Sequence, residues 1–187
     1  MRFGWVRTSQ ARAVAVAIGL VGLSCGGLAA CGAGAEDTAA ELKKAEEAAA
    51  FFMKKNAEAA GVVTLPSGLQ YKIVASGPAG SPRPDGNDLV RVDYEGALVD
   101  GTVFDSSYTR GAPMVTTPEQ VIPGWNEGLQ QMRVGDEWLF YVPPKLGYGE
   151  RGAPPTIPAN AVLVFRVKML DVAPAPGGSM GVGMARG

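Results

Sequence analysis

The reactive side chains in this sequence are few, and what is missing among them is as informative as what is present. None of the 187 residues is a histidine. That removes the commonest general base, the commonest zinc ligand and the usual partner of a catalytic serine or cysteine. Two motif matches fail on context. Gly147-Tyr-Gly-Glu-Arg-Gly152 has the G-x-G-x-x-G spacing, but Pro154 and Pro155 follow it, so no helix N-terminus stands there to receive a pyrophosphate. Gly177-Gly-Ser-Met-Gly181 has the G-x-S-x-G spacing, but it lies in a Gly-rich tail, and no imidazole exists to activate Ser179. No cluster of thiolates or imidazoles could hold a transition metal. The sequence therefore points away from covalent and metal-dependent mechanisms, and no cofactor is expected.

The only cysteines, Cys25 and Cys31, sit at the end of an export-like leader. Arg2, Arg7 and Arg12 form a basic segment without an acid, and Ala13 to Ala30 is almost wholly small or apolar. This is the pattern of a signal peptide. A retained membrane span would be about long enough but poor in large apolar residues. Leu28-Ala29-Ala30-Cys31 resembles the bacterial lipobox, so residues 1–30 read as a lipoprotein signal peptide and Cys31 as the lipidated residue. Cys25 follows Gly22-Leu23-Ser24 and is the poorer match. A Cys25–Cys31 disulfide would require both to survive processing. Removing residues 1–30 takes away three arginines and no acid, which moves the formal charge from −1 to −4. Such a chain has no excess of Lys and Arg to replace phosphate counterions, so no nucleic-acid partner is expected.

The elements that must position any site follow from periodicity. Residues 31–65 read as a tether and an amphipathic helix over 39–60, with Leu42, Ala45, Ala49, Phe52 and Met53 at helical spacing and Gly61 as the stop. Such a stripe predicts a helix that docks or pairs with itself. From 66 the pattern turns to strands. Leu69, Tyr71 and Ile73 alternate, then Val90, Val92 and Tyr94 alternate with Arg91, Asp93 and Glu95. Asp100-Gly101 between two apolar runs is a hairpin signal. Residues 124–132 put Trp125, Leu129 and Met132 on one face of a short helix. Glu137 to Val142 forms a strand, 143–160 is a Gly- and Pro-rich loop, and 161–172 is a final strand. The tail 174–187 is expected to be disordered. The implied class is α+β, an antiparallel sheet wrapped over one short helix, with a domain spanning 66–173.

Four stretches, VDYEGALVDGTVFDSS (92–107), QVIPGWNEGLQQM (120–132), VGDEWLFYVPPKLGYG (134–149) and IPANAVLVFRV (157–167), resemble the FKBP-type peptidyl-prolyl isomerase family in order and spacing. GVVTLPSGLQYKI (61–73), joined to a helix, is similar to the bacterial macrophage infectivity potentiator subgroup. The resemblance implies a curved antiparallel half-barrel sheet around the short helix, catalytic roles for Tyr94, Phe104, Asp105 and Tyr148, and substrate contacts for Arg110, Val121, Ile122, Trp125, Ile157 and Phe165. Trp125 would floor the pocket, and the Ile122 N–H and Tyr148 hydroxyl would bind substrate carbonyls. It also implies proline-containing unfolded polypeptides as partners and macrolide inhibitors as ligands, while the export-like leader places the chain, and exported polypeptides as its substrates, in the bacterial cell envelope. There the Cys31 lipid would hold the chain on the outer membrane, facing the periplasm. Met114, Val115 and Thr116 stand where the family often has aromatic residues.

The residue inventory suits that activity. Rotation about an X-Pro bond breaks no covalent bond, and its barrier in water is roughly 18–20 kcal/mol. An apolar, aromatic slot that strips water from the prolyl amide needs no histidine, cysteine or metal. A second reading is a chaperone module on the same fold that binds proline-containing segments without catalysis.

Overall fold

The computed structural model describes residues 33–176, with side chains from 38 onward. The leader with Cys25 and Cys31, and the tail beyond 176, lie outside the described residues. Among the described residues no helix is long and apolar enough to cross a membrane.

Seven strands form one antiparallel sheet: β1 (Val62–Thr64), β2 (Gln70–Ala75), β3 (Leu89–Leu98), β4 (Val103–Ser106), β5 (Met114–Thr116), β6 (Glu137–Val142) and β7 (Leu163–Ala173). Their order is β1-β2-β6-β7-β3-β4, with β5 also on β3. The helices are α1 (Ala33–Ala57), α2 (Ser107–Arg110) and α3 (Pro123–Gln131). The α+β half-barrel over a short helix read from the sequence is the observed class.

Alternation decides which face of the sheet is inside. Val90, Val92 and Tyr94 of β3, Trp138, Phe140 and Val142 of β6, and Leu163, Phe165, Val167 and Met169 of β7 are all buried. Their neighbours Arg91, Arg166 and Lys168 face water. Helix α3 lies against the buried face through Trp125 and Leu129, with Met132 buried just past its C-terminal end. Pro123 opens it, where a missing N–H costs nothing. Two small residues let it approach closely. A Cβ on Gly128 would stand 2.7 Å from the Phe140 ring, and one on Gly124 would stand 2.7 Å from Val142.

Strand β3 has an interrupted partner. Its outer half pairs with β4 (Gly96↔Asp105) and its inner half with β5 (Val92↔Met114). Helix α2 bulges out between them. Ser107, at the start of α2, is buried and ties this excursion to β3: its Oγ accepts the Tyr94 N–H at 2.9 Å and donates to Asp93 at 3.0 Å. At the hairpin after β3, Gly101 takes φ of +88° and its N–H reaches the Leu98 carbonyl at 2.9 Å, as Asp100-Gly101 predicts.

Several sequence expectations shift. The N-terminal helix runs from 33 to 57 rather than 39 to 60. It tightens over 58–60, where the Glu58 N–H bonds Lys55 and the Ala59 N–H bonds Asn56, so Gly61 lies in the turn beyond the helix. The sheet begins at Val62, because Val62–Thr64 pairs with Gln70–Lys72. Leu69 and Tyr71 pack on the core as the alternation predicts, but the pattern gives out at Ile73. Ile73 is 48% exposed while Gln70 is 3% exposed. Gln70 is buried because α1 docks on the outer face and takes it as a polar partner. Gln70 donates to the Met53 carbonyl and accepts from Asn56, both at 2.8 Å. Phe52 packs near Tyr141 with ring centroids 6.3 Å apart. The helix is thus docked on its own chain through the stripe the sequence identified. Helix α2 and strand β5 were not anticipated, being too short to carry a period.

Gly128→Ala should overpack the α3–sheet contact, since the Phe140 ring is fully buried and has no room to withdraw. The expected loss is about 1–3 kcal/mol, read as a lower denaturant midpoint at unchanged slope.

Candidate active site

The open end of the half-barrel holds a hollow of 460 Å³ lined by Tyr94, Phe104, Asp105, Met114, Gln120, Val121, Ile122, Trp125, Tyr148 and Phe165. These residues come from β3, β4, β5, the approach to α3, α3 itself, β7 and the loop after β6. No two adjacent elements could build it alone.

Its apolar part is a chain of rings packed edge to face. Tyr94 meets Trp125 at 5.0 Å between centroids and 87° between planes. Trp125 meets Phe165 at 5.1 Å and 82°, and Phe165 meets Phe104 at 5.5 Å and 89°. Edge-to-face contacts match positive ring edges to negative faces and are worth about 0.5–1.5 kcal/mol each beyond buried area. Every ring therefore fixes its neighbour. Gly96 makes room for the last pair, since a Cβ there would lie 2.7 Å from Phe165 and 2.8 Å from Phe104. Trp125 is 3% exposed, and its indole N–H has no partner among the described residues.

The polar part is a triad of Tyr94, Asp105 and Arg110. The Tyr94 hydroxyl donates a hydrogen bond to one Asp105 oxygen, and the Arg110 guanidinium pairs with the other. Arg110 also donates to the Tyr94 hydroxyl at 2.8 Å and lies over its ring at 5.2 Å from the centroid. Burial, followed by the hydrogen bond to Asp105, pushes the Tyr94 phenol above its ordinary value, while Arg110 pulls the other way. The hydroxyl is thus held protonated and aimed at Asp105.

Two donors stand at the rim. Ile122 precedes α3, so its N–H has no helical partner and donates to no described residue. Tyr148, 42% exposed, lines the hollow from the loop after β6 and carries a hydroxyl donor.

Eight of the ten catalytic and substrate-contacting residues expected from the sequence line the hollow. Arg110 stands behind the lining and reaches the site through Asp105 and Tyr94. Ile157 does not line it. It is 6% exposed in the core, where its backbone bridges Ala153. Cys31 lies outside the described residues. Gln120 and Met114 line the hollow but were not among the expected site residues. Met114 was visible only as a departure from the usual aromatic, and Gln120 only as the residue before Val-Ile-Pro-Gly-Trp.

Comparison with known proteins gives the same frame. The family model described as FKBP-type peptidyl-prolyl cis-trans isomerase matches residues 80–170, and one for the domain amino-terminal to it matches 30–73. A Neisseria meningitidis protein named probable FKBP-type peptidyl-prolyl cis-trans isomerase FkpA is 48% identical over 133 residues, covering 71% of this chain and 48% of that protein. The outer membrane protein MIP of Legionella longbeachae is 44% identical over 70% of this chain and 56% of its own. The chain thus spans about half the length of the curated relatives it matches. A crystal structure of a peptidyl-prolyl cis-trans isomerase from Pseudomonas syringae superposes with a TM-score of 0.66 at 32% identity, over 71% of this chain and 96% of that one.

The Tyr94 shift has a sign that can be measured. A phenol raised in the folded state contributes stability that is full below its unfolded value, near pH 10, and is lost as pH climbs through the folded value. The denaturation midpoint of the wild type should therefore fall more steeply above pH 10 than that of Tyr94→Phe. Ultraviolet titration, taken as the difference from Tyr94→Phe, should move down in Asp105→Asn and up in Arg110→Gln.

Proposed function

The chain belongs to the FKBP-type peptidyl-prolyl cis-trans isomerase family, and on that footing we propose that it turns X-Pro bonds of polypeptides in the ring-lined hollow. The observation that carries this reading is the convergence of Tyr94, Phe104, Asp105, Trp125, Tyr148 and Phe165 on one concavity that contains no nucleophile–base pair.

Each group then has a role that needs no bond chemistry. The pyrrolidine ring sits on the Trp125 face between Tyr94, Phe104 and Phe165. Removing water from the prolyl amide weakens the planar, charge-separated resonance form, and the less polar twisted state loses less. The Ile122 N–H and the Tyr148 hydroxyl hold the flanking carbonyls, so one side of the bond is fixed while the other turns. Asp105 lies where the twisting carbonyl passes. Arg110 holds Asp105 and the Tyr94 hydroxyl in place. Met114 gives one wall an adaptable, non-aromatic surface, which suits varied residues beside the proline. The same hollow would admit a macrolide ring. Val121 contacts substrate at the rim, whereas Ile157 supports the loop from the core.

We infer further that the protein works in the cell envelope on exported proline-containing polypeptides. The basic leader, the apolar run and Leu28-Ala29-Ala30-Cys31 support export and a lipid on Cys31. The sequence after it, with Gly32 following the cysteine, favours the outer membrane. The catalytic unit is residues 66–173, carried on α1.

A proline-limited refolding assay should show acceleration by the wild type. Phe104→Ala and Asp105→Ala should lose roughly 10- to 100-fold in kcat/KM with folded spectra retained. Suppressed aggregation without acceleration would favour a holdase and overturn the isomerase reading. Radioactive fatty acid fed to expressing cells should label the wild type and not Cys31→Ser; label persisting in the variant would remove the anchor.

A further inference from the structure

Resting on the isomerase reading, we propose that helix α1 positions the loop bearing Tyr148, and that Asn160 is the positioning residue through which it acts. Asn160 closes that loop in two directions at once. Its backbone N–H bonds the carbonyl of Gly149, the residue after Tyr148, at 2.9 Å. Its side-chain Nδ2 donates to the Leu42 carbonyl in α1 at 3.1 Å, across 118 positions of sequence. Asn160 is 8% exposed and is the only non-glycine residue with positive φ, +53°, among the described residues. Asparagine tolerates that conformation, so the turn aims the amide at the helix.

The other bonds of the loop are mostly internal. Gly152 closes on Tyr148 at 3.2 Å, and Ala153 bridges Ile157 at 2.8 Å. Beside them the packing is open. A groove of 510 Å³ separates Ala49, Met53 and Ala57 of α1 from Pro143, Lys145 and Gly149. The loop is therefore not pressed solidly onto the helix, and Asn160 is a fixed tie at one end of that groove. The helix itself is held elsewhere by Gln70, through Met53 and Asn56. A rigid helix, 25 residues long, pinned at 53–56 and again at 42, gives the loop an anchor outside the sheet. Tyr148 projects from the loop with no side-chain hydrogen bond of its own among the described residues. Its place at the rim is set by the backbone that Asn160 fastens.

A purely structural turn residue and a positioning residue can be separated in the full-length chain. Asn160→Gly keeps the turn, since glycine accepts positive φ, and removes the tie. Asn160→Asp keeps the shape and removes the donor. Ala49→Glu disturbs the same docking from the helix side. Amide exchange reads α1, and fluorine NMR of 3-fluorotyrosine protein, assigned with Tyr148→Phe, reads the loop. In all three variants α1 should exchange faster, the Tyr148 signal should move, and KM for a proline peptide should rise about three- to tenfold with a smaller change in kcat. Unchanged protection in α1, or an unmoved Tyr148 signal, overturns the proposal. Should the wild type show no isomerase activity, the functional reading fails, and the fluorine signal still decides the role of Asn160.

Discussion

The structure depends on how closely α3 can approach the sheet. Gly124 and Gly128 bring the helix backbone against Val142 and Phe140, with no space for a Cβ at either place. At that distance Trp125 meets both Tyr94 and Phe165 edge to face. The floor of the hollow is therefore a consequence of core packing. A looser helix would leave the indole free to tilt, and the rings that rest on it would lose their mutual orientation.

The second constraint is the broken edge of the sheet. Because β4 and β5 share β3, the chain leaves the sheet at Ser107 and returns at Met114. Phe104 and Asp105 reach the hollow from β4 before the detour begins, and the detour then swings Arg110 behind them and returns the chain with Met114 in the lining. Buried hydroxyl bonding by Ser107 keeps the detour registered with Tyr94. One interruption thus places an apolar wall, a carboxylate and its guanidinium partner together. The phenol of Tyr94 is drawn into the same network from the neighbouring strand.

The concave face serves the site and the convex face carries α1. The convex face explains the one strand whose sequence misleads. Gln70 is buried because it answers the backbone of α1, whereas Ile73, on the same face as Tyr71 and Trp138, is exposed near the end of the strand beside a bulge. Buried polar groups keep partners, so an outer face covered by a helix selects an amide where alternation alone predicts solvent. The same docking links residue 42 to the loop at 160, a contact no local pattern could suggest.

Strong local signals were legible in the sequence. Alternation over 90–94 and 163–169, the Asp100-Gly101 turn and the Trp125, Leu129, Met132 face each report a period long enough to name an element, and together they imply an α+β sheet over a helix; its half-barrel curvature came from the family resemblance. The lack of histidine limited the chemistry before any fold was known. Joint motif register identified most of the residues that line the hollow, because each sits inside a stretch whose spacing is fixed. Tertiary structure alone decided the rest. The three-residue strands β1 and β5 exist only because a neighbour supplies their hydrogen bonds. Ile157 falls into the core and Gln120 to the rim because the direction of a loop side chain depends on what the loop packs against. The pairing of Asn160 with Leu42 depends on where α1 comes to rest, and that is set by surfaces far apart in the chain.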